Sequence, residues 1–332
     1  MVSVTRFAAV LGMHRSGTSA VTRALNLMGV TLPGELMLNT QHNASGHWEA
    51  LDAVRIHDTL FAANDYTWDD PFLPFDICTR NSQAATAAQR DIAAFIGAEV
   101  PVPGMAAIKD PRICHTLPLW LEALSEARIT TCAIIMVRNP LEVAASLTAR
   151  DGMPQHIGLQ LWLRYMLAAE QHTRNIPRVV VHYDQLIADW RGALAPVCTL
   201  LDMTLPAPTS ALAQQLDNFL SKNERHHTFD DQMLAHVAAD ITGVIACYTQ
   251  CLTTIETHDA HAVLDSVRDT LMTQDAMLPS HVHEAMRYRT RQSLQEIATL
   301  KADVAWRSSV MQAAASEIAW RKSVMIEHNL EP

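Results

Sequence analysis

The segment Gly12-Met13-His14-Arg15-Ser16-Gly17-Thr18-Ser19 combines two ingredients of an anion site. Its small residues let backbone N–H groups converge, and Arg15 supplies one cation. The apolar run Phe7–Leu11 precedes it and helix-patterned residues follow. In the order strand, loop, helix, the amides and the positive end of the helix dipole aim at a phosphate or sulfate. The spacing Gly12…Gly17-Thr18-Ser19 imitates the loop of nucleoside-triphosphate enzymes, but Thr18 stands where their lysine belongs. Arg15 lies two residues before Gly17 instead. A nucleoside triphosphate with magnesium is not the obvious guest.

Two further segments carry chemistry. In Ile134–Arg150 an apolar strand delivers Arg138 at its end, Pro140 opens a helix, and Ser146 lies two turns in. An arginine fork and a hydroxyl eight residues apart suit a phosphomonoester. In Ile108-Lys109-Asp110-Pro111-Arg112, Lys109 stands at a strand end. Asp110 and Arg112 either pair with each other or grip a substrate.

The elements that must position these groups follow from periodicity. Phe7–Leu11, Thr131–Val137 and Arg178–His182 read as buried strands, with Met105–Ile108 a weaker fourth. Helical patterns cover Thr18–Met28, Ala50–Ala63, Ala84–Glu99, Leu117–Ala127, Leu141–Arg150, His156–Thr173 and Leu186–Leu201. The alternation predicts an α/β fold, a mainly parallel sheet flanked by helices. Asp65–Asp76 is a surface loop that could roof a site. After Pro206 the pattern is helical to the end. The expected domains are an α/β domain over 1–230, a helical extension over 231–284 and a long helix over 285–328.

In that last helix Ile297, Val304, Met311, Ile318 and Met325 recur every seven residues, and Trp-Arg-x-Ser-Val-Met occurs at Trp306 and Trp320. Two heptads per repeat predict a coiled coil, with a seam weakened at Leu294, Lys301, Ser308, Ala315 and Lys322. Ala285–Asn329 holds seven Lys or Arg and four Asp or Glu, a surplus of +3. A helix that associates with itself or a partner protein is the favoured reading, a peripheral membrane helix the second.

Composition bounds the partners. A net charge of −10 argues against broad nucleic-acid binding. Six scattered cysteines without a C-x-x-C pair read as reduced core residues, and 16 histidines show no metal-ligand spacing. The apolar runs are too short to span a bilayer, and Met1–Leu11 lacks the features of a secretory signal. The default expectation is a cytoplasmic protein with no metal.

Arg15-Ser16-Gly17-Thr18-Ser19 and the Arg138/Ser146 pair are similar to the two cofactor motifs of the sulfotransferase family. The run LGMHRSGTS…GHWE…KDPR…VRNPLEVAASL, within residues 5–228, resembles bacterial members in layout. The resemblance implies a P-loop-like fold and 3′-phosphoadenosine-5′-phosphosulfate (PAPS) as cofactor. It implies that Arg15, Ser16, Gly17, Thr18 and Ser19 bind the 5′-phosphosulfate, and that Arg138 and Ser146 bind the 3′-phosphate. Lys222 and Arg225 sit where the family adds a late basic contact to that phosphate. Glu49 is the candidate base and His47 the alternative, since family members use either residue type. Arg15 is placed to stabilise the leaving phosphate, and Lys109 to touch the sulfuryl or bridging oxygen. Trp68, Asp69 and Asp70 resemble a sugar-binding lip, and Asp110 and Arg112 join the substrate-binding candidates.

Simpler readings stand beside these. Glu49 suits a helix-start dipole partner, Asp110 and Arg112 an internal ion pair, and Asp69 and Asp70 plain turn residues. Trp162, Trp190, Cys114 and His115 read as packing residues. The leading function is sulfuryl transfer to a carbohydrate or glycoconjugate hydroxyl. The alternatives are a small-molecule kinase with a degenerate loop and an inactive, sulfotransferase-like assembly protein.

Overall fold

A computed structural model describes residues 5–38, 46–220, 229–239, 241, 243–252 and 258–327. The chain divides into two units, Met1–Leu278 and Pro279–Pro332. In the first, four strands, β1 (Arg6–Leu11), β2 (Met105–Lys109), β3 (Thr130–Val137) and β4 (Arg178–His182), form one sheet in the order β2-β1-β3-β4. Every pairing is parallel, with Arg6 opposite both Met105 and Thr130, and Ala133 opposite Arg178.

The strands are nearly continuous apolar runs because helices cover both faces. Alternation along β1 divides the core. Phe7, Ala9 and Leu11 face one cluster with Ala133, Ile135 and Val137, while Ala8 and Val10 face another with Cys132, Ile134 and Met136. The first face is covered by α2 (Leu51–Ala62), α4 (Ser82–Glu99), α5 (Ile113–Glu126), α6 (Pro140–Asp151) and α7 (Gln155–Thr173). The other is covered by α1 (Thr18–Leu27), α8 (Tyr183–Ala188), α9 (Trp190–Leu201) and α10 (Ala211–Leu220). Short α3 (Ile77–Arg80), α11 (Asp231–Val237), α12 (Val244–Leu252) and α13 (His258–Met277) complete the unit. Trp162, Trp190, Cys114 and His115 are buried.

Three local outcomes differ from the periodicity. The expected helix Leu186–Leu201 is two helices, because the Asp189 side chain accepts from Gly192 N–H (3.1 Å) and caps a new start. Helix α5 begins at Ile113, four residues before expectation, and runs through Pro118. A proline there removes the donor to the Cys114 carbonyl, and His172 Nδ1–H donates to that oxygen instead (2.9 Å). The loop over 65–76 ends in the turn of α3.

The second unit consists of α14 (Ser280–Glu327), a single helix of 48 residues. Along it Ile297, Val304, Met311 and Ile318 are exposed, as are Trp306 and Trp320. Among the described residues no helix is long and apolar enough to cross a membrane.

Candidate active site

Because all four strands run the same way, their carboxyl ends share one edge of the sheet, and each delivers a polar group there. β1 leads into the Gly12–Gly17 loop, β2 ends at Lys109, β3 is followed by Arg138, and β4 by Tyr183. The chain passes from β1 to β2 on one side and resumes with β3 on the other. Ligand crevices of open parallel sheets form where the strand order switches in this way.

The loop needs its glycines. Gly12 has φ +135°, and a Cβ there would come within 2.7 Å of the Met136 carbonyl oxygen. Gly17 has φ +89°, and a Cβ would meet the Tyr183 ring at 2.3 Å. Arg15 itself adopts φ 70°, a conformation side chains rarely take. Gly17 offers no side-chain cap to α1, and of the first-turn N–H groups Ala20 N–H donates to the Gly17 carbonyl (3.0 Å). Among the described residues the buried Ser16 Oγ has no hydrogen-bond partner. Beneath the loop Cys114 Sγ accepts from Gly12 N–H (3.2 Å), and burial pushes that thiol up to about 12. It stays protonated.

The loop and the β3 end are tied directly. Arg15 Nε donates to Ser146 Oγ (2.8 Å), and Arg138 Nη1 donates to the Arg15 carbonyl (3.1 Å). Arg138 Nε donates to Glu142 Oε2 (2.8 Å), and its guanidinium lies 4.6 Å from the centre of the Tyr183 ring. Asn139 accepts from Leu141 N–H (2.9 Å) and Pro140 occupies the first turn, so α6 starts at a defined angle and carries Ser146 back to the loop.

The same edge assembles Lys109, Glu49 and His47. Lys109 Nζ donates to the His47 carbonyl (3.0 Å) and forms an ion pair with Glu49 Oε1. Among the described residues none donates to Glu49 Oε2. Ser19 Oγ also donates to the His47 carbonyl (3.2 Å), which joins α1 to this segment. Burial lowers the pKa of the His47 imidazole, opposed by Glu49 and aided by Lys109, Arg150 and Arg15, so the ring is neutral near pH 7.

These groups line a cleft of about 500 Å³. Among the described residues its wall carries Arg15, Arg23, Lys109, Arg138 and Arg150 against one acid, Glu49, in a chain of net charge −10. Ile187, Phe219 and Leu220 make an apolar end. Sequence reading passed over His14, Arg23, Trp48, Arg150 and Tyr183, all of which face the cleft. Three of them had a signal: His14 adjoins Arg15, Trp48 lies between His47 and Glu49, and Arg150 follows Ser146 by one helical turn. Tyr183 had none, because the β3–β4 pairing alone brings it to Gly17.

Other candidates lie elsewhere. Asp110 is fully buried, accepting from Arg112 N–H (2.9 Å) and Nη1 (3.0 Å) and from His57 Nδ1–H (2.9 Å). Trp120 Nε1–H donates to His57 Nε2 (2.9 Å), which fixes the proton of the neutral ring on Nδ1. Burial raises the pKa of Asp110, but Arg112 and His57 outweigh it and hold the carboxyl below the usual carboxylate range. Arg112 also pairs with Asp58 (2.9 Å). Asp110 and Arg112 thus form an internal set, with every carboxylate oxygen of Asp110 occupied, instead of a substrate grip. Asp70 is buried in a turn, accepting from Phe72 N–H (2.8 Å), and Asp69 is exposed. Trp68 does not line the cleft; its ring packs 4.4 Å from His14 and carries Arg150 at 5.3 Å. Lys222 and Arg225 lie outside the described residues. Among those described, no group of three or more His, Cys, Asp or Glu could hold a metal.

The profile described as sulfotransferase family matches residues 8–207. No curated protein matches the chain. Among solved structures, the sulfotransferase domain of the Synechococcus PCC 7002 olefin synthase is 18% identical, with 82% of this chain and 96% of that one covered and a TM-score of 0.41. Sulfotransferase STF9 from Mycobacterium avium is 14% identical, with 71% and 76% covered and a TM-score of 0.42.

Proposed function

Since the chain belongs to the sulfotransferase family, we propose that it moves the sulfuryl group of PAPS to a hydroxyl of a carbohydrate or glycoconjugate, without a metal. The observation that carries this reading is the convergence of Arg15, Lys109 and Arg138 around the start of α1, with Glu49 and His47 in the same cleft. Among the described residues, a cleft with five cations, a helix start without a side-chain cap and a Ser16 Oγ without a partner fits a ligand with two phosphate-type groups.

Arg15 and the amides of Ser16, Gly17, Thr18 and Ser19 would hold the 5′-phosphosulfate, and Arg138 with Ser146 the 3′-phosphate. Lys222 and Arg225 remain proposed as later contacts. When bound, PAPS supplies a sulfuryl group on a phosphate leaving group. The chain then has three tasks: fix the acceptor in line, remove its proton and stabilise charge on the departing oxygen. Glu49 Oε2, with Oε1 held by Lys109, takes the hydroxyl proton; neutral His47 is the alternative base. Arg15 and Lys109 meet the negative charge. Carbohydrate as acceptor is favoured by the indole of Trp48 in the cleft wall, an apolar face for a sugar ring. A cytoplasmic setting is in keeping with six free cysteines. The exposed heptad residues of α14 favour association with a second copy or a partner protein. Light scattering of the full chain against one lacking 285–332 tests it, with loss of the oligomer expected.

Calorimetric titration of 3′,5′-ADP without magnesium tests the donor assignment. Micromolar binding is expected, and binding of ATP only with magnesium overturns it. Transfer of labelled sulfate to a panel of polysaccharide precursors tests the acceptor class.

A further inference from the structure

The donor assignment leaves two cleft cations without a task, Arg23, which donates to Asn26 Oδ1 (2.5 Å) and lies over the Trp48 ring (4.7 Å), and Arg150. Arg150 lies one turn beyond Ser146 on α6 and faces the same cleft. Its position is built. The guanidinium stacks over the Trp68 indole (5.3 Å), and the Trp68 carbonyl is held by the Tyr165 hydroxyl (2.7 Å). Asp151 accepts from Nε (2.8 Å) and Nη2 (2.6 Å), which orients the fork and, among the described residues, leaves Nη1 without a hydrogen bond. On the same indole rests His14, another cleft residue, whose Nε2 has no partner among the described residues. Burial, then Arg112, Arg150 and Lys109, hold the His14 imidazole well below the ordinary histidine range, so it is neutral, with one donor and one acceptor nitrogen.

We propose that the acceptor carries an oxyanion beside the hydroxyl it offers, and that Arg150 and His14, spaced by Trp68, form the subsite for that anion. This deepens the sulfotransferase reading and rests on it. A neutral sugar is normally met by amides, carboxylates and aromatic faces. A stacked, weakly hydrated guanidinium with an open N–H is suited to a planar or tetrahedral oxyanion. The adjacent Asp151 does not cancel the site, because a partly exposed pair between sequence neighbours is worth little and is readily shared with a stronger acceptor. A uronate carboxylate and a sugar phosphate present the same chemistry here.

The test uses the full chain and three oligosaccharides of one backbone: one bearing uronate carboxylates, its carboxyl-reduced counterpart, and a phosphorylated form. Each is titrated by calorimetry with and without 3′,5′-ADP. A charged form is expected to bind at least tenfold more tightly than the neutral one. Arg150→Gln should erase that preference, and Arg150→Lys should lose at least threefold of it, since an ammonium lacks the stacked fork. The tighter of the two charged forms identifies the anion. Equal affinity for charged and neutral forms, no binding by any of them, or a preference that survives Arg150→Gln overturns the proposal. If Arg150→Gln does not fold, Arg150→Lys and the matched pair on the unaltered chain decide. Binding of 3′,5′-ADP alone is scored separately. Its failure overturns the donor assignment, while a charge preference lost in Arg150→Gln still stands for the subsite.

Discussion

The cleft and the cluster around Glu170 are both made of arginines and carboxylates, several of them buried, yet their sums differ. Around Glu170, Arg174 pairs with Glu170 and Asp265 (2.7 Å each), Arg178 reaches Glu170 (3.5 Å), and Arg268 reaches Asp265 (2.9 Å) and Asp269 (3.9 Å). Among the described residues three arginines meet three carboxylates there, with His261 also beside Glu170 (3.4 Å), and the set joins α7, β4 and α13. In the cleft, among the described residues, five cations meet Glu49 in the wall and two more carboxylates behind it, Glu142 on Arg138 and Asp151 on Arg150. A balanced set is satisfied by folding alone. A surplus of cations at low exposure is tolerable only where something else brings negative charge, which separates a binding site from a structural clamp.

The sharpest way to break this comparison is to remove one arginine from each set. Arg15→Ala should weaken 3′,5′-ADP binding by about 100-fold, the scale of one or two charge-assisted hydrogen bonds, while costing little stability. Arg138→Ala should weaken binding as much but also lower stability by about 3 kcal/mol, because it leaves the buried Glu142 without its cation. Arg178→Ala should do the reverse, lowering stability by about 3 kcal/mol with 3′,5′-ADP affinity within twofold. Calorimetry and urea titration of the three variants read both effects, and an exchange of roles removes the distinction.

A second effect separates charge that binds from charge that reacts. Glu49→Gln should keep 3′,5′-ADP affinity and lower the transfer rate by about 10²–10⁴-fold. Transfer at the unaltered rate moves the base to His47. The internal set of Asp110 extends the comparison to a neighbour of the cleft. Asp110→Asn leaves Arg112 and His57 facing a weaker acceptor and should cost about 3 kcal/mol in urea titration. An unchanged midpoint means that this set does not hold the fold.

The last effect concerns a buried base outside both sets and is seen only at acid pH. His115 is fully buried, and burial, aided by His172 and Arg164, holds its pKa at about 3. Below its ordinary value of 6.5 the unfolded chain binds a proton that the folded chain does not, so stability falls as the pH drops from about 6.5 towards 3. His115→Leu should flatten that part of the stability profile. An equally steep profile in the variant assigns acid sensitivity to other groups.

Much of this was legible from residue order. The strand runs, the Gly12–Ser19 loop, and the Arg138/Ser146 spacing rest on local rules of periodicity, turn chemistry and helix geometry, and the folded elements fall within a few residues of them. The split at Asp189 and the early start of α5 were hidden because a side-chain cap and a distant histidine compensate for what the local pattern lacks. The Lys-Asp-Pro-Arg tetrapeptide is the clearest case of a motif that sequence could not divide. Lys109 faces the cleft, while Asp110 and Arg112 turn inward to His57 and Asp58, because the turn after β2 sends successive side chains to opposite sides.

By itself the sequence determined the order of strand, anion loop and helix, the cations Arg15 and Arg138, and the family to which they point. Those features are short-range, and each is set by residues within about ten positions. Only the tertiary structure decided which groups share a cleft. Parallel pairing of β2, β1, β3 and β4 gathers their carboxyl ends, so Glu49 meets Lys109 across 60 residues, Arg15 meets Ser146 across 131, and Trp68 brings His14 to Arg150. Contacts at such separations depend on strand order and helix angle, and no local pattern encodes them.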